Sequence, residues 1–126
     1  MAYDVRQYPK SVYPSEVQSE CPEAETQIDV LIGKLKEFGP SPPGYSVKNL
    51  GKQKANIWQI NLRAGKRQVR ILYGVYGNKI IIFRIHKKSS PPEQKRAYEL
   101  AVKRKKEYEK ASNRKEVEDG GSFKLN

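Results

Sequence analysis

Cysteine and histidine are nearly absent from this chain, with one of each among 126 residues. The lone Cys21 excludes an internal disulfide framework and fits a reducing compartment. With one histidine besides, a zinc site built by the protein is not expected. No stretch is apolar enough to span a bilayer, and the start of the chain shows no signal-peptide pattern, so a cytoplasmic protein is expected. Acidic residues are also scarce: 14 Asp and Glu face 25 Lys and Arg, for a net charge of +11. The imbalance is local. Residues 1–38 hold 4 basic and 7 acidic side chains, a net −3, whereas residues 63–115 hold 17 and 4, a net +13. Basic charge concentrated in the second half favours a polyanionic partner, nucleic acid ahead of membrane. There is no P-loop, no GxSxG, no HExxH and no acidic pair suited to metal binding or glycoside hydrolysis.

What the chain does have is the stretch WQINLRAGKRQVRILYGVYGNKIIIFRIHKK, from Trp58 to Lys88. It reads as three consecutive antiparallel strands, roughly 57–64, 68–76 and 79–86. Alternation sends Trp58, Ile60 and Leu62 one way and Gln59, Asn61 and Arg63 the other. In the second strand Val69, Ile71, Tyr73 and Val75 oppose Gln68 and Arg70. A four-residue loop, Ala64 to Arg67, pairs 63 with 68, 61 with 70 and 60 with 71. For the third strand, a two-residue Gly77-Asn78 turn would put Arg84 and His86 on the core face, where an unpaired charge costs several kcal/mol. A one-residue shift, through a three-residue loop or a glycine bulge, avoids this. Ile81, Phe83 and Ile85 then join the core face. Arg63, Arg70, Arg84 and His86 gather on the opposite, polar face.

Elsewhere, Tyr3, Val5 and Gln7 alternate as a short edge strand, and Pro14 to Glu20 forms a turn or two of helix with Val17 inward. Pro22 to Phe38 is a firmer helix, with Ile28, Leu31, Ile32, Leu35 and Phe38 at helical spacing and Gly39-Pro40 ending it. Tyr45 to Leu50 is extended. The loop Gly51 to Lys54 brings Lys52 and Lys54 within reach of phosphate, as the strand loop does for Lys66 and Arg67. Ser90, Pro91 and Glu93 form a capping-box start for a helix running to about Lys110. Its weak apolar stripe is Ala97, Leu100, Ala101, Arg104 and Tyr108; Lys95 and Arg96 are exposed and extend the basic sheet. One domain over residues 1–112 and a disordered tail over 113–126 are expected.

A cluster of cations around one imidazole suits RNA cleavage by attack of a 2′-hydroxyl on its own phosphodiester. Arg63, Arg70 and Arg84 stay protonated and fit phosphate clamping. His86, or a lysine whose pKa neighbouring cations lower, fits proton transfer, and Lys87 and Lys88 lie at the strand end. Tyr73 and Tyr76 could stack on bases, although Tyr73 suits the core better.

These residues carry a family resemblance. An apolar-Trp-apolar strand ending in Arg63 is followed by Val69-Arg70-Ile71-Leu72-Tyr73. An apolar strand ending in Lys87-Lys88, a Ser/Pro segment and a basic helix complete the series. The pattern resembles the RelE/ParE superfamily toxins of type II toxin–antitoxin systems, and looks closest to the phage-derived HigB-like branch. It covers about three-quarters of the chain. The segment after Lys88 is shorter than the usual family loop, and the tail after Lys110 has no family counterpart. The resemblance implies an α+β fold: a small antiparallel sheet with N-terminal helices packed on one face and a C-terminal basic helix. It implies a cognate antitoxin, action on mRNA at the ribosome without cofactor or metal, and contact with DNA as the toxin–antitoxin complex. The family's basic strand residues fall on Arg63, Arg70, Arg84, Lys87 and Lys88. Some relatives poison DNA gyrase instead of cutting RNA. A non-catalytic nucleic-acid binder and a decayed toxin kept as an interaction protein therefore remain alternatives.

Overall fold

The computed structural model describes residues 2–113; the expected tail over 113–126 lies outside them except for its first residue. The fold is α+β. Five strands, β1 (Asp4–Gln7), β2 (Ser46–Asn49), β3 (Trp58–Ala64), β4 (Arg67–Tyr76) and β5 (Lys79–Lys87), form one sheet in the order β1-β5-β4-β3-β2. Every pairing is antiparallel except the parallel one between β1 and β5. A wide helical turn, Val12–Glu16, leads into α1 (Val17–Glu20); a 3-10 turn, Pro22–Ala24, leads into α2 (Glu25–Phe38). After the sheet comes α3 (Pro91–Asn113). Among the described residues no helix is long and apolar enough to cross a membrane.

The β3–β4 register is as expected: Arg63 pairs with Gln68, Asn61 with Arg70 and Ile60 with Ile71. The strands run further, to Ala64 and Arg67, and leave only Gly65-Lys66 as the turn. Gly65 and Gly77 both open two-residue turns with positive φ, a conformation that glycine adopts without steric cost.

The third strand keeps both possibilities in one structure. The two-residue turn forms, pairing Tyr76 with Lys79 and Tyr73 with Ile82. The one-residue shift then enters mid-strand: a bulge between Leu72 and Tyr73 leaves Leu72 opposite Arg84, Ile71 opposite Ile85 and Arg70 opposite His86. This corrects the expected facing of β5. Ile80, Ile82 and Ile85 pack with α2 and the N-terminal turns, whereas Ile81 and Phe83 pack on the other face with Leu72, Ala101 and Tyr108 of α3. A bulge flips facing only beyond itself, so β5 supplies isoleucines to both faces.

The sheet therefore has two apolar faces, and the expected open polar face is covered by α3. On the α2 side Ile28, Leu31, Ile32 and Leu35 are buried as the spacing predicts. Phe38 is not: it is 46% exposed, beside the Gly39 terminus. Trp58 is half-buried at the margin of this layer, stacked at 6.3 Å on the fully buried Tyr73.

Candidate functional site

The helix α3 reaches the sheet through polar contacts at its N-terminal end. Arg70 Nη1 donates to Tyr98 Oη at 2.8 Å and to Gln94 Oε1, and Gln94 Nε2 donates back to the Ser89 carbonyl at 2.7 Å. Tyr98 Oη in turn donates to Gln59 Oε1 at 2.7 Å. Arg70 is thus a half-buried strut between β4 and α3 rather than an exposed charge. Its face is the one expected, opposite Ile71.

Arg84 and His86 follow on the same face of β5. Beyond Ile82, β5 has no strand on its β1 side, and Glu16 covers that open edge. Its carboxylate accepts from Arg84 Nη1 at 3.0 Å, from Arg104 Nη1 at 2.6 Å and from the Ile85 amide at 3.2 Å. Arg104 Nη1 also donates to the Phe83 carbonyl at 2.6 Å. The bulged part of β5 therefore has its loose backbone groups held by an anion and a cation from two different helices.

His86 is buried, only 2% exposed, edge-on to the Tyr98 ring. Its pKa is pushed down to about 4, first by burial and then by the Arg84 and Arg70 cations; a hydrogen bond to the Lys87 carbonyl opposes the shift. The imidazole is therefore neutral near pH 7. Nδ1–H donates to the Lys87 carbonyl at 3.1 Å, which leaves Nε2 as the unprotonated nitrogen. Among the described residues Nε2 has no hydrogen-bond partner, and neither does Arg84 Nε. Both residues line one polar cleft of about 330 Å³, with Ser89, Glu93 and Arg96 of the α3 approach and Glu20 of α1.

The other expected site residues spread around this cleft. Lys66, Arg67 and Lys88 border a second concavity, about 540 Å³, at the β3–β4 turn; there Arg67 pairs with Glu23 at 2.7 Å. The Lys88 amide donates to the Gln68 carbonyl at 2.8 Å, which places Lys88 beside β4 just past the end of β5, with half-buried Lys87 ending the strand. Lys54 and Lys95 border a groove of about 620 Å³ between the 52–54 turn and α3, whose walls also include Tyr98, Val102, Lys103 and Lys106. Lys54 sits 5.8 Å over the Tyr98 ring, and Lys52 is exposed. Arg63 does not join Arg70, Arg84 and His86: it is exposed, on a groove lined by α2 and Tyr45. Tyr73 is core, and its hydroxyl donates to the Pro40 carbonyl at 2.5 Å.

Glu16 escaped the reading of the sequence. Its only trace is Arg104, a cation at a stripe position of α3; a charge on a buried stripe calls for a counter-charge. Nothing local points to a residue 88 positions earlier. Among the described residues no group of three potential metal ligands comes together. Comparison with family models, with characterised proteins and with solved structures finds no match to this chain.

Proposed function

We propose that this chain is a RelE/HigB-type toxin of a type II toxin–antitoxin system, a cytoplasmic endoribonuclease that cuts mRNA on the ribosome. The observation that carries the reading is the cleft holding Arg84 and His86. Both residues line it, and His86 Nε2, on a neutral imidazole, and Arg84 Nε lie just beneath its surface, buried and without a hydrogen-bond partner among the described residues. In this reading His86 Nε2 takes the proton of a 2′-hydroxyl. The 2′-oxygen forms its bond to phosphorus while the bond to the 5′-oxygen breaks. The products are a 2′,3′-cyclic phosphate and a 5′-hydroxyl, whose proton comes from Lys87 or Lys88. Arg84 and Arg96 stabilise the charge that builds on the phosphoryl oxygens. Arg70 acts indirectly, by fixing the start of α3. Lys66, Arg67 and Lys88 extend the contact along the RNA backbone. The cognate antitoxin is a partner with acidic and apolar residues, matched to the lysine-rimmed groove along α3.

Two observations favour a second reading, binding to nucleic acid or gyrase poisoning without RNA cleavage. His86 is almost fully enclosed, and Arg70 is engaged by Gln94 and Tyr98. Primer extension on translated mRNA separates the two. Wild type is expected to produce new 5′ ends, and Arg84→Ala and His86→Ala, checked for folding, to lose roughly 10²–10³-fold of the cleavage. Undiminished cleavage by both variants removes the cleft from the mechanism. Growth arrest with intact mRNA and stalled gyrase selects the second reading.

A further inference from the structure

The end of β3 that points away from β2 is unfinished. The ladder between them stops at Ser46 opposite Asn61, while β3 continues to Ala64. The Leu50 amide donates to the Ile57 carbonyl at 2.8 Å, so Ile57 turns its backbone groups toward the β2 side. Backbone direction alternates along a strand, so Gln59, Asn61 and Arg63 do the same. Asn61 meets Ser46. Arg63 has no strand residue beside it on this side, because the chain before Ser46 lies outside the sheet, turned away at Gly44 with a φ of +89°. The N–H and C=O of Arg63 therefore face an open slot.

That slot is a groove of about 460 Å³ between the β3 edge and α2. Leu62, Tyr45 and Val30 give it an apolar side, and Val30 is 52% exposed. Gln27 also lines it, and Gln27 Oε1 is buried without a hydrogen-bond partner among the described residues. A missing strand would supply what each group lacks: a carbonyl and an N–H for Arg63, and a donor for Gln27.

We infer that this slot docks an extended segment of a partner polypeptide, added as a short strand beside Arg63. The pleat specifies its side chains. The residue opposite Arg63 shares the face of the exposed guanidinium and is acidic, since opposite charges directly across a pair attract. Its two neighbours point to the α2 side, toward Leu62, Val30 and Tyr45, and are apolar. The occupant reads apolar–acidic–apolar. This inference is independent of the Arg84 cleft and stands whether or not the protein cleaves RNA.

The probe is a capped hexapeptide, TVEVTN, titrated into the isotope-labelled full chain and followed by amide NMR and hydrogen exchange. The Leu62, Arg63 and Val30 amides are expected to shift, and Arg63 N–H, open in the free protein, to become protected. The control TVKVTN should bind about tenfold more weakly, because it sets a cation opposite Arg63. Val30→Glu, at an exposed position, should abolish binding while the spectrum stays folded. Arg63→Ala should keep binding but lose the preference for glutamate. Absence of shifts at millimolar peptide, shifts elsewhere, or binding unaffected by Val30→Glu overturns the proposal. So does protection of Arg63 that appears without peptide and rises with protein concentration, which would assign the slot to a second copy of the chain.

Discussion

His86 shows how burial converts an ordinary residue into a pH-sensitive one. Its folded-state pKa of about 4 lies below the usual 6.5, so the unfolded chain takes up a proton that the folded chain refuses. The stabilisation from keeping it neutral is complete above pH 6.5 and is lost as pH falls from 6.5 toward 4. Its size is about 3 kcal/mol, at about 1.4 kcal/mol for each unit of pKa difference. Urea melts of wild type and His86→Gln at pH 7 and pH 4.5 should show a steeper acid loss in wild type, since glutamine does not titrate. Equal pH dependence in the two would mean that the imidazole is charged or solvated in the fold. The same lowered pKa bears on the proposed chemistry. If His86 is the base, cleavage should persist down to about pH 5 and fall only near pH 4, without the break near 6.5 of an exposed histidine.

At the scale of elements, the fold depends on how β5 is held after β1 ends. Glu16 ties the turn before α1, strand β5 and helix α3 at one point through Arg84, Ile85 and Arg104. Glu16→Ala takes the carboxylate from half-buried Arg104 and leaves Arg84 only Glu20, at 3.9 Å, and should cost about 3–5 kcal/mol, the scale for breaking a buried pair from one side. A denaturant midpoint close to wild type would show that water replaces the carboxylate there. The β4–β5 pair has a second constraint at Gly74. A Cβ at this position would come within 2.9 Å of Phe83 Cε2 and 3.1 Å of Tyr76 Cε2. Phe83 is fully buried and cannot swing away, so Gly74→Ala should cost about 1–3 kcal/mol through overpacking. Arg70 differs from an exposed arginine, because its loss removes the link between β4 and the first turns of α3.

For the whole molecule, charge and fold divide the surface. The acidic first third contributes Glu16 and Glu20 to ion pairs with Arg84, and Glu23 to one with Arg67, so part of the basic charge is spent internally. The cations left at the surface include Lys52, Lys66, Lys88, Lys95, Arg96, Lys103 and Lys106. Binding to single-stranded RNA should weaken with salt, and Lys66→Ala or Lys88→Ala should each lower the slope of log K against log salt by about 0.7 if that lysine contacts a phosphate. Fluorescence titrations at several salt concentrations measure this. A slope unchanged by both substitutions would move the RNA path away from the β3–β4 turn.

Local pattern was enough to place the elements and much of the pairing. Alternation from Trp58 to Val75 sets the β3–β4 register, because slipping one residue would put Ile60 on one face of the sheet and Ile71 and Tyr73 on the other. Helical spacing sets α2, and Pro91 with the stripe Ala97, Ala101 and Tyr108 sets α3. An unpaired Arg84 on the core face would be costly, so β5 needs a one-residue shift. Its position, between Leu72 and Tyr73, depends on packing between distant elements. Because α3 closes over the second face, Ile81 and Phe83 can be buried there, and the shift waits until Phe83 has passed. The same closure turned Arg70 into a strut and His86 into a neutral, enclosed imidazole, and left Arg63 at a different edge. Local pattern records which side chains are apolar and at what period. It does not record that a helix beginning at Pro91 returns across the sheet, nor that Glu16 meets Arg104 beneath it, because both are set by contacts between residues far apart in the chain.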